Sequence, residues 1–114
     1  MLRPISFSAI SSTELKVVFN KKLSNLITKD NFLIESIDGS EAGLEISSVK
    51  INENAIVLKT RPQTAGNYYL LSLLDLDDIK FKSVDGVGLV NDDVSRQLYF
   101  VGISNRNPIK DSIY

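Results

Sequence analysis

The feature that most constrains the fold is an alternation of apolar residues with a period of two in short stretches. Between residues 12 and 20, Leu15, Val17 and Phe19 recur at every second position, which puts all three side chains on one face of an extended strand. An amphipathic helix would need apolar residues three or four positions apart. The sequence therefore predicts a half-buried β-strand here.

The same pattern recurs in six other stretches, and turn residues lie between them. The further predicted strands are residues 5–10, 31–37, 44–51, 55–60, 67–74 and 96–103. We expect Ile5, Phe7 and Ala9 to face the core in the first of them. A slip of phase at Ser47-Ser48 predicts a β-bulge, because one extra residue returns the following side chains to the core face.

The sequence specifies two segments less fully than the others. In residues 67–74 both faces are largely apolar, so the sequence leaves open which one is buried. Residues 21–29 read as an irregular connection in which Leu23, Leu26 and Ile27 pack under the sheet. A single helical turn there would begin at Ser24 or Thr28, whose hydroxyls suit a helix cap.

Length and composition favour one all-β domain. The chain has 114 residues, enough for a single buried core. Ile, Val, Thr and the aromatic residues supply 34 positions against four alanines, which favours strands over helices. We predict an immunoglobulin-like or fibronectin III-like β-sandwich of about seven strands over residues 1–103. Residues 104–114 are predicted to be an exit segment that leads to a following domain or partner.

Charge and residue usage exclude several classes of function. With 13 basic and 14 acidic side chains, the chain lacks the excess of positive charge that nucleic acid requires. No apolar run reaches the roughly 20 residues that span a bilayer, so no membrane insertion is predicted. The absence of His and Cys removes the commonest nucleophiles, bases and zinc ligands. We therefore predict no enzyme, no catalytic residues and no cofactor.

Aspartates are the remaining candidates for chemistry. If residues 74–78 stay extended, Asp75 and Asp77 point to the same side, and converging carboxylates suit either calcium or acid-base hydrolysis. Asp92 and Asp93 form a second acidic pair. The spacing matches no EF-hand loop. A solvated loop is the favoured interpretation, a calcium site at Asp75, Asp77 and Asp78 is the first alternative, and catalysis by two converging aspartates is the last.

Two further groups point to binding. Tyr68, Tyr69 and Tyr99 would form a sugar-stacking platform if all three faced outward, although sandwich strands commonly carry tyrosine in the core or at an edge. In the tail, Pro108 limits local bending while apolar side chains offer anchors for a following domain. The predicted partner-docking residues are Pro108, Ile109, Ile113 and Tyr114.

Three short motifs follow one another along the chain. They are Ser-Thr-Glu-Leu-Lys-Val-Val-Phe-Asn at residues 12–20, Leu23 with Asn31-Phe32, and Gly66, Tyr69 and Asp75. Together they resemble the bacterial Ig-like domains of S-layer and other surface proteins and of phage structural proteins. The resemblance extends over roughly residues 5–101. The family often has Asp-x-x-Gly-Asn after the tyrosine strand, whereas a longer stretch, residues 76–89, follows Asp75 here.

The resemblance implies a non-catalytic structural spacer or assembly module of a larger bacterial surface protein or phage virion protein, such as a phage tail. Its partners would be neighbouring domains of the same polypeptide or assembly. The alternative is a recognition or adhesion module that binds carbohydrate or protein through loops or a strand edge. The implied location is extracellular, at the cell surface or in a virion, and the sequence leaves the cytoplasm open.

Overall fold

The computed structural model describes residues 1–39 and 41–104 as two antiparallel sheets. The strands are β1 (Pro4–Ser11), β2 (Glu14–Phe19), β3 (Phe32–Ser36), β4 (Ile46–Asn52), β5 (Ala55–Thr60), β6 (Tyr68–Leu73) and β7 (Gln97–Val101). One sheet has the order β1-β2-β5-β4 and the other β3-β6-β7. The predicted all-β sandwich of seven strands is confirmed.

The core lies between the sheets and follows the period of two. Leu15, Val17 and Phe19 are fully buried, and on the neighbouring strand Leu58 lies opposite Leu15 and Ile56 opposite Val17. The open question in β6 is settled, since its buried residues are Tyr69, Leu71 and Leu73. The predicted bulge is confirmed as a shift of register between Ile46 and Ser48.

The prediction for Ile5 is wrong, because its side chain is 59% exposed. Pro4 lies opposite Phe19 and Ser6 opposite Val18, so β1 advances two residues while β2 advances one. Ile5 is the extra residue of a bulge, and its side chain leaves the face that Phe7 occupies. Leu2, before the strand, is fully buried instead.

The connection between β6 and β7 contributes to the core, which the sequence pattern did not indicate. Phe81 is fully buried, and its ring centroid lies 5.4 Å from that of Phe19 and 5.5 Å from that of Phe32. Leu89 is also buried, and its N–H donates to the Phe81 carbonyl at 3.0 Å. Residues 74–90 therefore form a packed segment rather than a free loop.

Two short helical turns lie outside the sheets. Thr28 caps a 3₁₀ turn at Lys29–Asn31, as predicted, and Asp92 caps α1 (Asp93–Arg96), which was not predicted. In the connection before Lys29, Leu23 and Ile27 are buried as expected. Leu26 is 62% exposed, so its predicted burial is wrong.

The first and last described residues lie at opposite ends of the sandwich. Before β1, the N–H of Leu2 donates to the Gly88 carbonyl at 3.0 Å. After β7, the N–H of Ile103 donates to Gln63 Oε1 at 3.1 Å, and Gln63 Nε2 donates to the carbonyl of Ser11, the last residue of β1, at 2.8 Å. The length of β1 thus separates the two ends by roughly 25 Å, at about 3.3 Å per residue.

Phe19→Ala should lower the free energy of unfolding by about 3–5 kcal/mol, because it removes buried area and leaves a cavity beside Phe81. Lys16→Ala, on the exposed face of the same strand, is the matched control and should change it little. Urea unfolding followed by circular dichroism measures both. Equally mild effects would contradict the register of β2.

Candidate functional site

The loop that carries Asp75, Asp77 and Asp78 is held by hydrogen bonds and does not stay extended. The chain bends at residues 77–79, and the N–H of Leu76 donates to the Ile79 carbonyl at 3.3 Å. Asp75 Oδ1 accepts from the N–H of Phe81 at 3.1 Å. The condition on which Asp75 and Asp77 would share a side is therefore not met.

The buried side chain of Asn31 ties this loop to the end of the 3₁₀ turn. Its Nδ2 donates to the carbonyls of Leu74 at 2.8 Å and Ile79 at 2.9 Å. Its Oδ1 accepts from the N–H of Thr28 at 3.0 Å. Sequence reasoning used Asn31 as part of a motif but gave it no role, because its partners lie 43 and 48 residues away.

The other acidic pair also has a local structural role. Asp92 Oδ1 accepts from the N–H of Val94 at 3.0 Å, and Asp92 Oδ2 accepts from Ser95 Oγ at 3.1 Å, an N-cap arrangement. Within residues 1–39 and 41–104, no three acidic side chains are grouped closely enough to hold a metal ion. Calcium binding at Asp75, Asp77 and Asp78 remains a question for experiment.

The three tyrosines do not form one platform. Tyr69 is fully buried, and its hydroxyl donates to Glu41 Oε1 at 2.7 Å and accepts from the N–H of Thr64 at 2.9 Å. Thr64 Oγ1 donates to Glu41 Oε2 at 2.8 Å. These hydrogen bonds, that from Tyr69 first, lower the pKa of Glu41 below its usual value of 4.5. The network joins the β3–β4 connection to the β5–β6 connection.

The outer side of the β3-β6-β7 sheet is largely apolar, and we call it the tyrosine face. Tyr68 is 60% exposed and Tyr99 63%, and they lie diagonally across β6 and β7, since Tyr68 is opposite Val101 and Leu70 opposite Tyr99. Side chains at such diagonal positions are about 7–8 Å apart. The exposed or half-buried apolar residues of this face are Leu33, Ile37, Tyr68, Leu70, Tyr99 and Val101.

The outer side of the other sheet carries lysines, and we call it the lysine face. Lys16 and Lys50 lie on either side of Val57, on the strands that flank β5. Lys59 lies on the same face two residues further along β5, opposite Glu14 of β2. Among the residues that the structure describes, none of these three lysines forms an ion pair.

Sequence reasoning missed the lysine face for a topological reason. Each lysine stands at a polar position of its own predicted strand, so its exposure could be read from the period. That β5 lies between β2 and β4 depends on the order of strands, which no local pattern contains. The predicted docking residues Pro108, Ile109, Ile113 and Tyr114 lie outside the described residues.

Saturating calcium should leave the melting temperature unchanged, because Asp75 already accepts a backbone hydrogen bond and its loop is bent. Differential scanning fluorimetry with calcium and with chelator measures the shift. A ligand that binds only the folded state raises its stability by mass action. A rise that disappears in Asp77→Asn would restore the calcium interpretation.

Glu41→Gln should reduce the loss of stability in acid. Because the folded-state pKa of Glu41 is lowered, its ionised form contributes stability above its usual value of 4.5 that is lost as pH falls through the folded pKa. Urea unfolding of both proteins from neutral pH downward measures this, with Glu45→Gln as an exposed control. Parallel pH profiles for the native chain and Glu41→Gln would contradict the role of this network.

No helix in the described part of the chain is long and apolar enough to cross a membrane. No protein-family model matches the chain, and no curated protein matches it.

Solved structures of a bacterial surface protein have a similar fold. The N-terminal part of the bacterial S-layer protein SbsC matches with a TM-score of 0.72 and 22% identity, over 89% of this chain and 23% of that chain. The S-layer protein rSbsC(31-844) matches with a TM-score of 0.73 and 22% identity, over 94% of this chain and 14% of that chain. Domains 1–6 of surface layer protein SbsC give 0.73 and 21%, over 94% and 14%. The chain thus has the fold of one part of these longer structures.

Proposed function

We propose that the chain is a non-catalytic structural module, a spacer or assembly domain, of a larger bacterial surface protein. The observation that carries the proposal is the placement of the residues that flank the strands. Leu2 lies beside Gly88, whereas Ile103 lies beside Gln63 and Ser11, at opposite ends of β1. Domains whose termini lie close together suit insertion into another domain, whereas ends at opposite poles suit a linear series.

The surface location is supported by the similarity to S-layer structures. At 21–22% identity the match concerns the fold, so the cell-surface role is an inference from it. This chain spans 14–23% of those chains, which fits a module with neighbours in the same polypeptide. We favour a cell-surface over a phage virion role because the structures reported above are S-layer proteins.

Two features support an immunoglobulin-like identity for the sandwich. The sheet orders β1-β2-β5-β4 and β3-β6-β7 correspond to the ABED and CFG orders of constant-type immunoglobulin domains. Tyr69, near the start of β6, bonds through its hydroxyl to the backbone N–H of Thr64 five residues upstream. Immunoglobulin-like domains place a tyrosine at this corner with a similar bond.

The absence of catalysis is part of the same proposal. The sequence has no His and no Cys, and Asp75 and Asp92 accept backbone hydrogen bonds in local turns. Carboxylates with such structural partners are poorly placed to exchange protons with a substrate.

A recognition or adhesion module remains the second candidate, because the tyrosine face is an exposed patch on the described surface. Patches of this kind mark interaction sites on otherwise polar surfaces. Exposed tyrosine rings also suit stacking on a sugar ring. Binding of a glycan array by the native chain, and loss of it in Tyr68→Ser, would favour this candidate over the spacer.

A tandem of two copies joined directly by residues 105–114 should be extended. Small-angle X-ray scattering should give a maximum dimension about twice that of one copy, since the ends lie at opposite poles. The control replaces residues 105–114 with a Gly/Ser linker of about 20 residues, which behaves as a flexible coil. A tandem no longer than a single copy would contradict the spacer role.

The same tandem tests the predicted docking tail. Ile109→Ser with Ile113→Ser should broaden the distribution of dimensions toward that of the flexible-linker control, because the anchors for the second copy are lost. An unchanged distribution would contradict docking through these residues.

A further inference from the structure

We propose that the tyrosine face of one copy of this chain docks on the lysine face of a second copy. The inference rests on the proposed assembly role and names the partner and the surfaces. The two outer sides of the sandwich differ in charge. One side is apolar with Glu35 as its charged residue, and the other carries three lysines, Lys16, Lys50 and Lys59, with the single acidic residue Glu14 opposite Lys59.

The central rows of the two faces match in order and spacing. On the lysine face the row runs Lys16, Val57, Lys50 across three adjacent strands. On the tyrosine face it runs Glu35, Leu70, Tyr99, also across three adjacent strands. Strands lie about 4.8 Å apart, so the outer members of each row are separated by about 10 Å.

Superposing the rows gives each group a suitable partner. One lysine ammonium meets the Glu35 carboxylate and the other lies over the ring of Tyr99, which is a favourable cation–π position. Half-buried Val57 and Leu70 then meet at the centre and exclude water. The ammonium groups are available because the described part of the chain offers them no ion pair.

Pairing of two tyrosine faces is less suitable. The strands of this face carry no Lys or Arg. Arg61 and Arg96 at its border already donate to the carbonyls of Gly43 and Val90, so such a pairing would bury both Glu35 carboxylates against apolar surface without a dedicated cation. Desolvating an unpaired charge is costly. The lysine face removes this cost by supplying the missing cation.

We expect each contact to be weak and to recur between successive copies. Patches of a few hundred Å² fall below the roughly 800 Å² per partner of a stable complex. Because the two surfaces differ, each copy keeps one free face after pairing, and such head-to-tail contacts extend into open assemblies. Many weak contacts of this kind add strength when modules are held in an array.

Two complementary variants test the contact. The first, Lys16→Glu with Lys50→Glu, keeps the tyrosine face, and the second, Glu35→Gln with Tyr99→Ser, keeps the lysine face. Amide chemical shifts of the native chain should change with protein concentration for residues of both the tyrosine face and the lysine face, which NMR measures. Each variant alone should bind itself at least about tenfold more weakly than the native chain, while an equimolar mixture should recover binding in one-to-one pairs.

Several outcomes would overturn the proposal. They are concentration-independent shifts in the native chain up to about 1 mM, self-association of either variant at the native level, and a mixture that binds no better than its components. Undiminished binding by the first variant would indicate pairing of two tyrosine faces.

A charge-matched control and a folding check accompany the variants. Lys22→Glu with Lys80→Glu makes the same change of charge at exposed positions outside the strands of both faces and should bind as the native chain does. Melting temperatures confirm that each protein is folded. Scattering from the tandem with Lys16→Glu and Lys50→Glu in both copies measures the spacer role without this contact, so failure of the contact is distinguishable from failure of the spacer role.

Discussion

The Phe81 side chain is buried between the two sheets and joins them. Its ring contacts Phe19 of β2 and Phe32 of β3, so one side chain from a connection joins both layers. Because protein cores are close-packed, a ring held between two sheets restricts the position of both. The same connection then pairs Leu89 with Leu2, which fixes where the chain enters the domain.

At the other end of the core a second aromatic cluster holds the end of β7 in place. The Phe100 ring stacks on Tyr69 with centroids 5.1 Å apart and meets the edge of Phe7 at 5.5 Å. Tyr69 in turn holds Glu41 and Thr64, and Gly102 packs beside the Tyr69 ring with no room for a Cβ. The two ends of the described fold are therefore set by buried contacts, and among the described residues the outer sides of both sheets stay exposed.

The sequence predicted what depends on local periodicity. The strands, the inward residues of β2 and the bulge at Ser47-Ser48 could be read from alternation alone. Phe81 could not, since a lone aromatic between acidic and glycine-containing stretches has no period. Ile5 was misassigned because a bulge at a strand's start leaves no earlier residue to reveal the change of phase.

The candidate surfaces were only half predictable. Exposure of Lys16, Lys50 and Lys59 follows from their strands, but their convergence requires the order of strands, which is decided by packing between distant segments. For the tyrosines, closeness in sequence does not mean closeness on the surface. Tyr68 and Tyr69 are neighbours in sequence, and the pleat sends one outward and the other into the core.

The proposed role as a linear spacer requires a fixed distance between the two ends of the described fold. The chain has no cysteine, so spin labels can be placed on Arg3→Cys and Ile103→Cys, both at exposed positions, and measured by pulsed electron paramagnetic resonance. The account predicts a single narrow distribution at about 25–35 Å, the length of β1 plus the label arms. A distribution below about 15 Å, at which β1 could no longer separate the labels, would contradict it.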